Sequence, residues 1–124
     1  MALESLHEPV ENLPEQILEE RRAISSLMEE LEAAHWYGER ASCAKDPELK
    51  EILEHNRNEE LEHAAMLTEW LRRKISAFNE ELQTYLNTTA PITQIEDAEE
   101  GGGEDQPAGS DGSSLNIGSM KNGG

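Results

Sequence analysis

The stretch HNRNEELEHAAM, His55–Met66, decides how this chain folds and what it holds. Its glutamates, leucine, alanines and methionine favour a helix. Leu49, Leu53, Ala64, Leu67 and Leu71 recur along one side of it at helical spacing. Asn56, Glu60 and His63 fall on that same stripe or its edge. A carboxylate on a face that must be buried is costly unless something pairs with it. Glu60 and His63, three residues apart, point the same way and so present two ligand groups to one place.

Working outward, a second helical pattern precedes this one. From about Pro14 to Ser42, Ile17, Ile24 and Leu31 recur every seven residues, interleaved with Leu27 and Ala34, while Arg21, Arg22, Glu29 and Glu32 take other faces. Pro14 suits a first helical turn. The segment CAKDPEL interrupts the pattern, with Asp46 as N-cap, Pro47 as first helical residue and Glu48 as an acid in the first turn. Glu30 lies at the edge of the first apolar stripe, with Leu27 three residues before it and Ala34 four after. Glu30 and Glu60 stand fifteen residues on either side of Lys45, the middle of the turn. In an antiparallel hairpin they therefore sit at one level, one Glu facing one Glu-x-x-His. The same stretch also offers Glu59, four residues before His63, and Glu62 beside it; the phase of the stripe favours Glu60.

The pattern predicts an all-α fold, an antiparallel two-helix hairpin. Ile75, Phe78, Leu82 and Tyr85 either prolong the second helix or form a short third one. TTAPI, Thr88–Ile92, ends the helical region in this reading, because a residue before proline disfavours helix. The expected division is an N-terminal arm over 1–13, a helical domain over 14–95, a disordered acidic Gly/Ser-rich linker over 96–113 and a terminal segment over 114–124. The triple glycine is no phosphate loop, since no strand precedes it and no lysine follows. A hairpin this small cannot cover its own apolar stripe, so self-association is expected.

A net charge of −17 excludes nucleic acid and anionic membrane as natural partners and favours cations. Cys43 is the one cysteine, so no disulfide forms within a chain, which suits a reducing compartment. The N-terminal MALESLHEPVENLPE reads as no export signal, and no run approaches the length of a membrane span.

In di-iron carboxylate bundles, two helices each give a Glu and two others each give a Glu-x-x-His. This chain carries half of that set, so a symmetric dimer completes a four-helix bundle with Glu30, Glu60 and His63 twice over. Four carboxylates balance two ferrous ions, and mixed oxygen and nitrogen donors suit iron. The alternative is a non-catalytic acidic hairpin that buffers divalent metal, oligomerises and docks through its tail.

The blocks MEELEAAHWY, DPELKEILEHNRNEELEHAAM, PITQIE and the terminal SLNIGSMK resemble the encapsulated ferritins, over residues 7–96 and the tip. The resemblance implies a di-iron ferroxidase centre between two chains with Glu30, Glu60 and His63 as ligands, oxidising ferrous iron with dioxygen. It implies a ring-shaped decamer of hairpin dimers, packaged as cargo in an encapsulin nanocompartment in the cytoplasm for iron storage. Glu29, Glu32 and Glu59 match acidic positions of a metal entry or secondary site, and Trp36 and Tyr37 match aromatics beside the centre. His35 and His55 fall outside the ligand set. The terminal segment resembles an encapsulin-targeting peptide, with Leu115, Ile117 and Met120 as anchors and Gly118 at the bend.

Overall fold

The computed structural model describes residues 5–103. Among these it is helical without a strand. A short 3-10 turn, Val10–Asn12, leads into helix α1, Glu15–Cys43, and then α2, Pro47–Lys74, α3, Ser76–Tyr85, and α4, Ile92–Gly103. Two compact units divide the chain, the first ending at Asn79 and the second beginning at Glu80.

In the first unit, α1 and α2 have 29 and 28 residues, each about 43 Å long at 1.5 Å per residue. The turn between them is short because both ends are capped. Asp46 accepts a hydrogen bond from the Leu49 amide at 2.9 Å, and Pro47 opens α2. Lys50 Nζ donates to the Ala41 carbonyl at 2.9 Å, satisfying one of the acceptors that the end of α1 leaves open. At the far end of α2, Arg72, Arg73 and Lys74 stand where the helix dipole favours positive charge.

The seam of the hairpin is narrow. Ala23, Ala34 and Ala41 of α1 and Ala64 and Leu71 of α2 are its buried apolar residues. Alanines allow helix axes to approach to about 8 Å, but they leave the larger side chains outside. Ile17, Leu31 and Leu49, which the sequence places on the apolar stripe, are 45%, 49% and 48% exposed. That is the shortfall expected of a hairpin without a partner: one neighbouring helix covers only a thin strip of a broad apolar face.

Ile75 alone separates α2 from α3. Glu69 braces this break by accepting from Arg72 through Nε and Nη2, both at 2.8 Å, and from Arg73 Nε at 2.7 Å. The remaining terminal nitrogen of Arg72 donates to Asn79 Oδ1 at 2.5 Å. Of the two sequence expectations for this region, the separate short helix is the one that forms.

In the second unit, α3 ends through Asn87, whose φ of 61° is left-handed, a conformation that asparagine tolerates better than most residues. The expectation that helix ends at Thr88–Ile92 is corrected here. The TTAPI stretch is a break, and Pro91 sets up a new first turn, its carbonyl accepting from the Gln94 and Ile95 amides. Helix α4 then runs through residues 96–103, which the sequence assigned to a disordered linker. Burial raises the Tyr85 phenol above its usual range, and the carboxylates of Glu96, Glu81, Glu100 and Glu99 add to the shift.

Candidate metal centre

Glu30 projects from the middle of α1, and Glu60 and His63 from the middle of α2. The turn length places them at one level, and helical phase turns all three to the same flank of the alanine seam. His63 Nδ1 lies 3.3 Å from Glu60 Oε1 and 3.4 Å from Glu30 Oε1. One ligand atom from each residue falls within 4.8 Å of the others. Among the described residues this is the one group of three or more metal-ligating side chains so arranged.

The two distances to His63 are those of neighbouring ligand atoms around one cation. With metal–ligand bonds of roughly 2.1 Å, neighbouring ligand atoms lie about 3 Å apart and opposite ones about 4 Å apart. The side chains are 27% exposed at Glu30, 24% at Glu60 and 42% at His63. The group is therefore partly open to solvent.

Without a cation, the three groups hold protons in common. The hydrogen bond from Glu60, with partial burial and the Glu60 charge, raises Glu30 above the ordinary carboxyl range. The reciprocal bond from Glu30, assisted by His63, keeps Glu60 below it. Two like charges in contact thus titrate as a pair, with Glu30 the more readily protonated member. Desolvation works to lower His63, but its hydrogen bonds to Glu60 and Glu30 outweigh that and raise it. Its Nδ1 then donates toward both carboxylates. A divalent cation replaces these protons and supplies the charge the carboxylates lack.

The other sequence candidates lie elsewhere. Glu29 and Glu59 are exposed, and Glu59 sits 3.8 Å from His55. Glu32, two residues beyond Glu30, belongs to a different helix face. Trp36 is 49% exposed, and the Arg40 guanidinium stands over the Tyr37 ring at 5.6 Å. His35 pairs with Glu39 at 2.8 Å. The structure therefore brings together Glu30, Glu60 and His63, as their spacing predicts, and does not bring Glu29, Glu32 or Glu59 into their group. Leu115, Ile117, Gly118 and Met120 lie outside the described residues.

The chain was compared with known proteins. Residues 5–89 match a family model described as EncFtn-like. An encapsulated ferritin-like protein of Rhodospirillum rubrum is 53% identical over 124 residues, covering 94% of this chain and 88% of that protein. A ferritin-like protein of Thermotoga maritima is 52% identical over 98 residues, covering 79% of this chain and 86% of that one. A crystal structure of a Nitrosomonas europaea protein superposes with a TM-score of 0.67 at 52% identity, covering 72% of this chain and 98% of that chain.

Proposed function

The chain belongs to the EncFtn-like family, and from that membership and the geometry of Glu30, Glu60 and His63 we propose that it is a ferroxidase acting as cargo of an encapsulin shell. Two hairpins pair across the open flank to form a four-helix bundle, and each contributes one Glu30, Glu60 and His63 to a di-iron centre. The observation that carries this reading is the three-residue group itself, with His63 3.3 and 3.4 Å from the two carboxylates and all three side chains partly exposed.

Iron is the substrate: each ferrous ion gives one electron, and dioxygen accepts them. The chain's part is electrostatic and positional. Its carboxylates hold the ions together and favour the more highly charged ferric state, for which anionic oxygen is a good donor. A proton held on Glu30 is displaced to solvent when the cation binds. Dimers assemble further into a ring-shaped decamer. The ferric product passes to the encapsulin nanocompartment, in the cytoplasm, for storage. The flanking Glu29, Glu32 and Glu59 serve as an entry path, and Trp36 and Tyr37 line the neighbourhood of the centre.

Anaerobic loading with ferrous iron followed by admission of air tests the reading. Rapid iron oxidation with matching dioxygen consumption is expected. Glu30→Ala, Glu60→Ala and His63→Ala each remove two ligands from a two-fold site and should each lower the rate by on the order of a hundredfold. Glu54→Ala is the control, because Glu54 pairs with Lys50 at 3.9 Å. Iron bound without turnover identifies a metal buffer instead. Delivery is tested separately: removing residues 115–121 should abolish co-purification with an encapsulin shell while the oxidation rate stays unchanged.

A further inference from the structure

The ferroxidase reading carries a chemical consequence for side chains near the centre. Two ferrous ions supply two electrons; with two protons, dioxygen takes them up as hydrogen peroxide. Whatever peroxide leaves the ligand group meets first the oxidisable side chains on the adjoining helical turns.

Met66 is placed to receive it. It stands three residues beyond His63 on α2, which sets their β-carbons about 5–6 Å apart on neighbouring faces. It is 59% exposed, more than any other apolar residue near the group. The open cavity of about 420 Å³ beside it is lined by Glu62, Ala65, Met66, Glu69, Trp70 and Arg73, so the thioether is reachable and an added oxygen has room. Met28, the other described methionine, is only partly exposed. It lies two residues before Glu30, a spacing that turns it to a different face of α1. Cys43 is exposed but stands at the end of α1, about 20 Å along the helix from Glu30.

We propose that Met66 is an oxidation site coupled to the centre, consuming peroxide as it escapes from Glu30, Glu60 and His63. The oxygen–oxygen bond breaks, one oxygen passes to the Met66 sulfur to give the sulfoxide, and the other leaves as water. The sulfur is oxidised by two electrons and the peroxide is reduced by two, so the step balances without a further reactant. The sulfoxide is reducible by methionine sulfoxide reductases, so the site can be regenerated.

The proposal rests on the ferroxidase reading, and the test separates the two. The full chain is loaded with ferrous iron anaerobically and exposed to air with catalase present, while dioxygen uptake and ferric iron are recorded. The protein is then digested and its peptides weighed. The expected result is a gain of about 16 Da on the Met66 peptide, rising with each iron cycle and on the order of tenfold above the Met28 peptide. Catalase should leave this gain in place while suppressing oxidation of Cys43, which depends on peroxide free in solution. Met66→Leu should keep the initial oxidation rate and lose the modification. Iron oxidation with Met66 unmodified overturns the proposal and leaves the ferroxidase reading intact. So does equal modification of Met66 and Met28, or loss of the Met66 signal with catalase. Absence of iron oxidation itself overturns both.

Discussion

Glu69 shows how strongly a single carboxylate is held when two guanidiniums converge on it. Hydrogen bonds from Arg72 and then Arg73 lower its pKa from 4.5 to about 2. A depressed folded value means that Glu69 stabilises the fold above the unfolded pKa and that this contribution is lost as pH falls toward about 2. Carbon NMR should find Glu69 titrating near that value, and the stability gap between wild type and Glu69→Gln should shrink as pH drops through the window. A titration at an ordinary glutamate pKa would remove the brace from the account of the α2–α3 break. At the metal centre the sign is reversed for Glu30 and His63, which keep their protons to higher pH than usual. Cation affinity should therefore climb as those protons are lost, a dependence that calorimetry with ferrous iron across a pH series will reveal. The meeting of Glu30, Glu60 and His63 was legible in the sequence because helical phase and distance from the turn are properties of residue spacing alone. The opposite shifts of Glu30 and Glu60 were not, since they depend on ångström differences between near-identical groups.

At the level of the helix, local rules make quantitative forecasts. The Asp46 cap on the Leu49 amide is worth about 1 kcal/mol, so Asp46→Ala should lower the urea-unfolding free energy by roughly that amount. Gly38 sits within α1, and a β-carbon added there meets Arg57 Cδ at 4.0 Å, an ordinary contact. Gly38→Ala should consequently stabilise the protein by about 0.5–1 kcal/mol; a loss in the same measurement would mean that the helices pack more tightly here than this contact implies. The turn and its cap were read correctly because proline, aspartate and their order act locally. The exposure of Ile17, Leu31 and Leu49 follows the expectation that a single hairpin cannot cover its own apolar stripe, although a periodic stripe does not say which of its residues stay uncovered. Helix α4 was missed. Its sparse apolar content resembles that of a linker, yet Ile92, Ile95 and Ala98 follow one another at helical spacing after a proline that favours a first turn.

Across the whole molecule the dominant quantity is a net charge of −17, which favours cations and drives copies of the chain apart. In the proposed pairing of two hairpins four carboxylates crowd together, and bound cations would relieve that repulsion while bridging the chains. A ligand that binds only the associated state favours it by mass action. Ferrous iron should therefore move the mass distribution toward the larger species, an effect weakened in mildly acidic buffer and absent in Glu60→Ala. Native mass spectrometry of the metal-free protein through an iron titration decides it, and an unmoved distribution would show that the apolar contacts assemble the particle unaided. The capped turn at Ala44–Asp46 has one more consequence, for how such a chain can change length over evolution. Glu30 and Glu60 meet because equal lengths of helix separate them from that turn, so the turn works as the zero mark of a ruler. One residue inserted between turn and ligand in either arm swings that ligand by about 100° and 1.5 Å, out of the group. Two added turns, seven residues and about 10.5 Å, restore the phase, but the level is kept only if both arms gain them together. Beyond the ligands, toward Glu15 and Lys74, the arms can lengthen or shorten without that constraint.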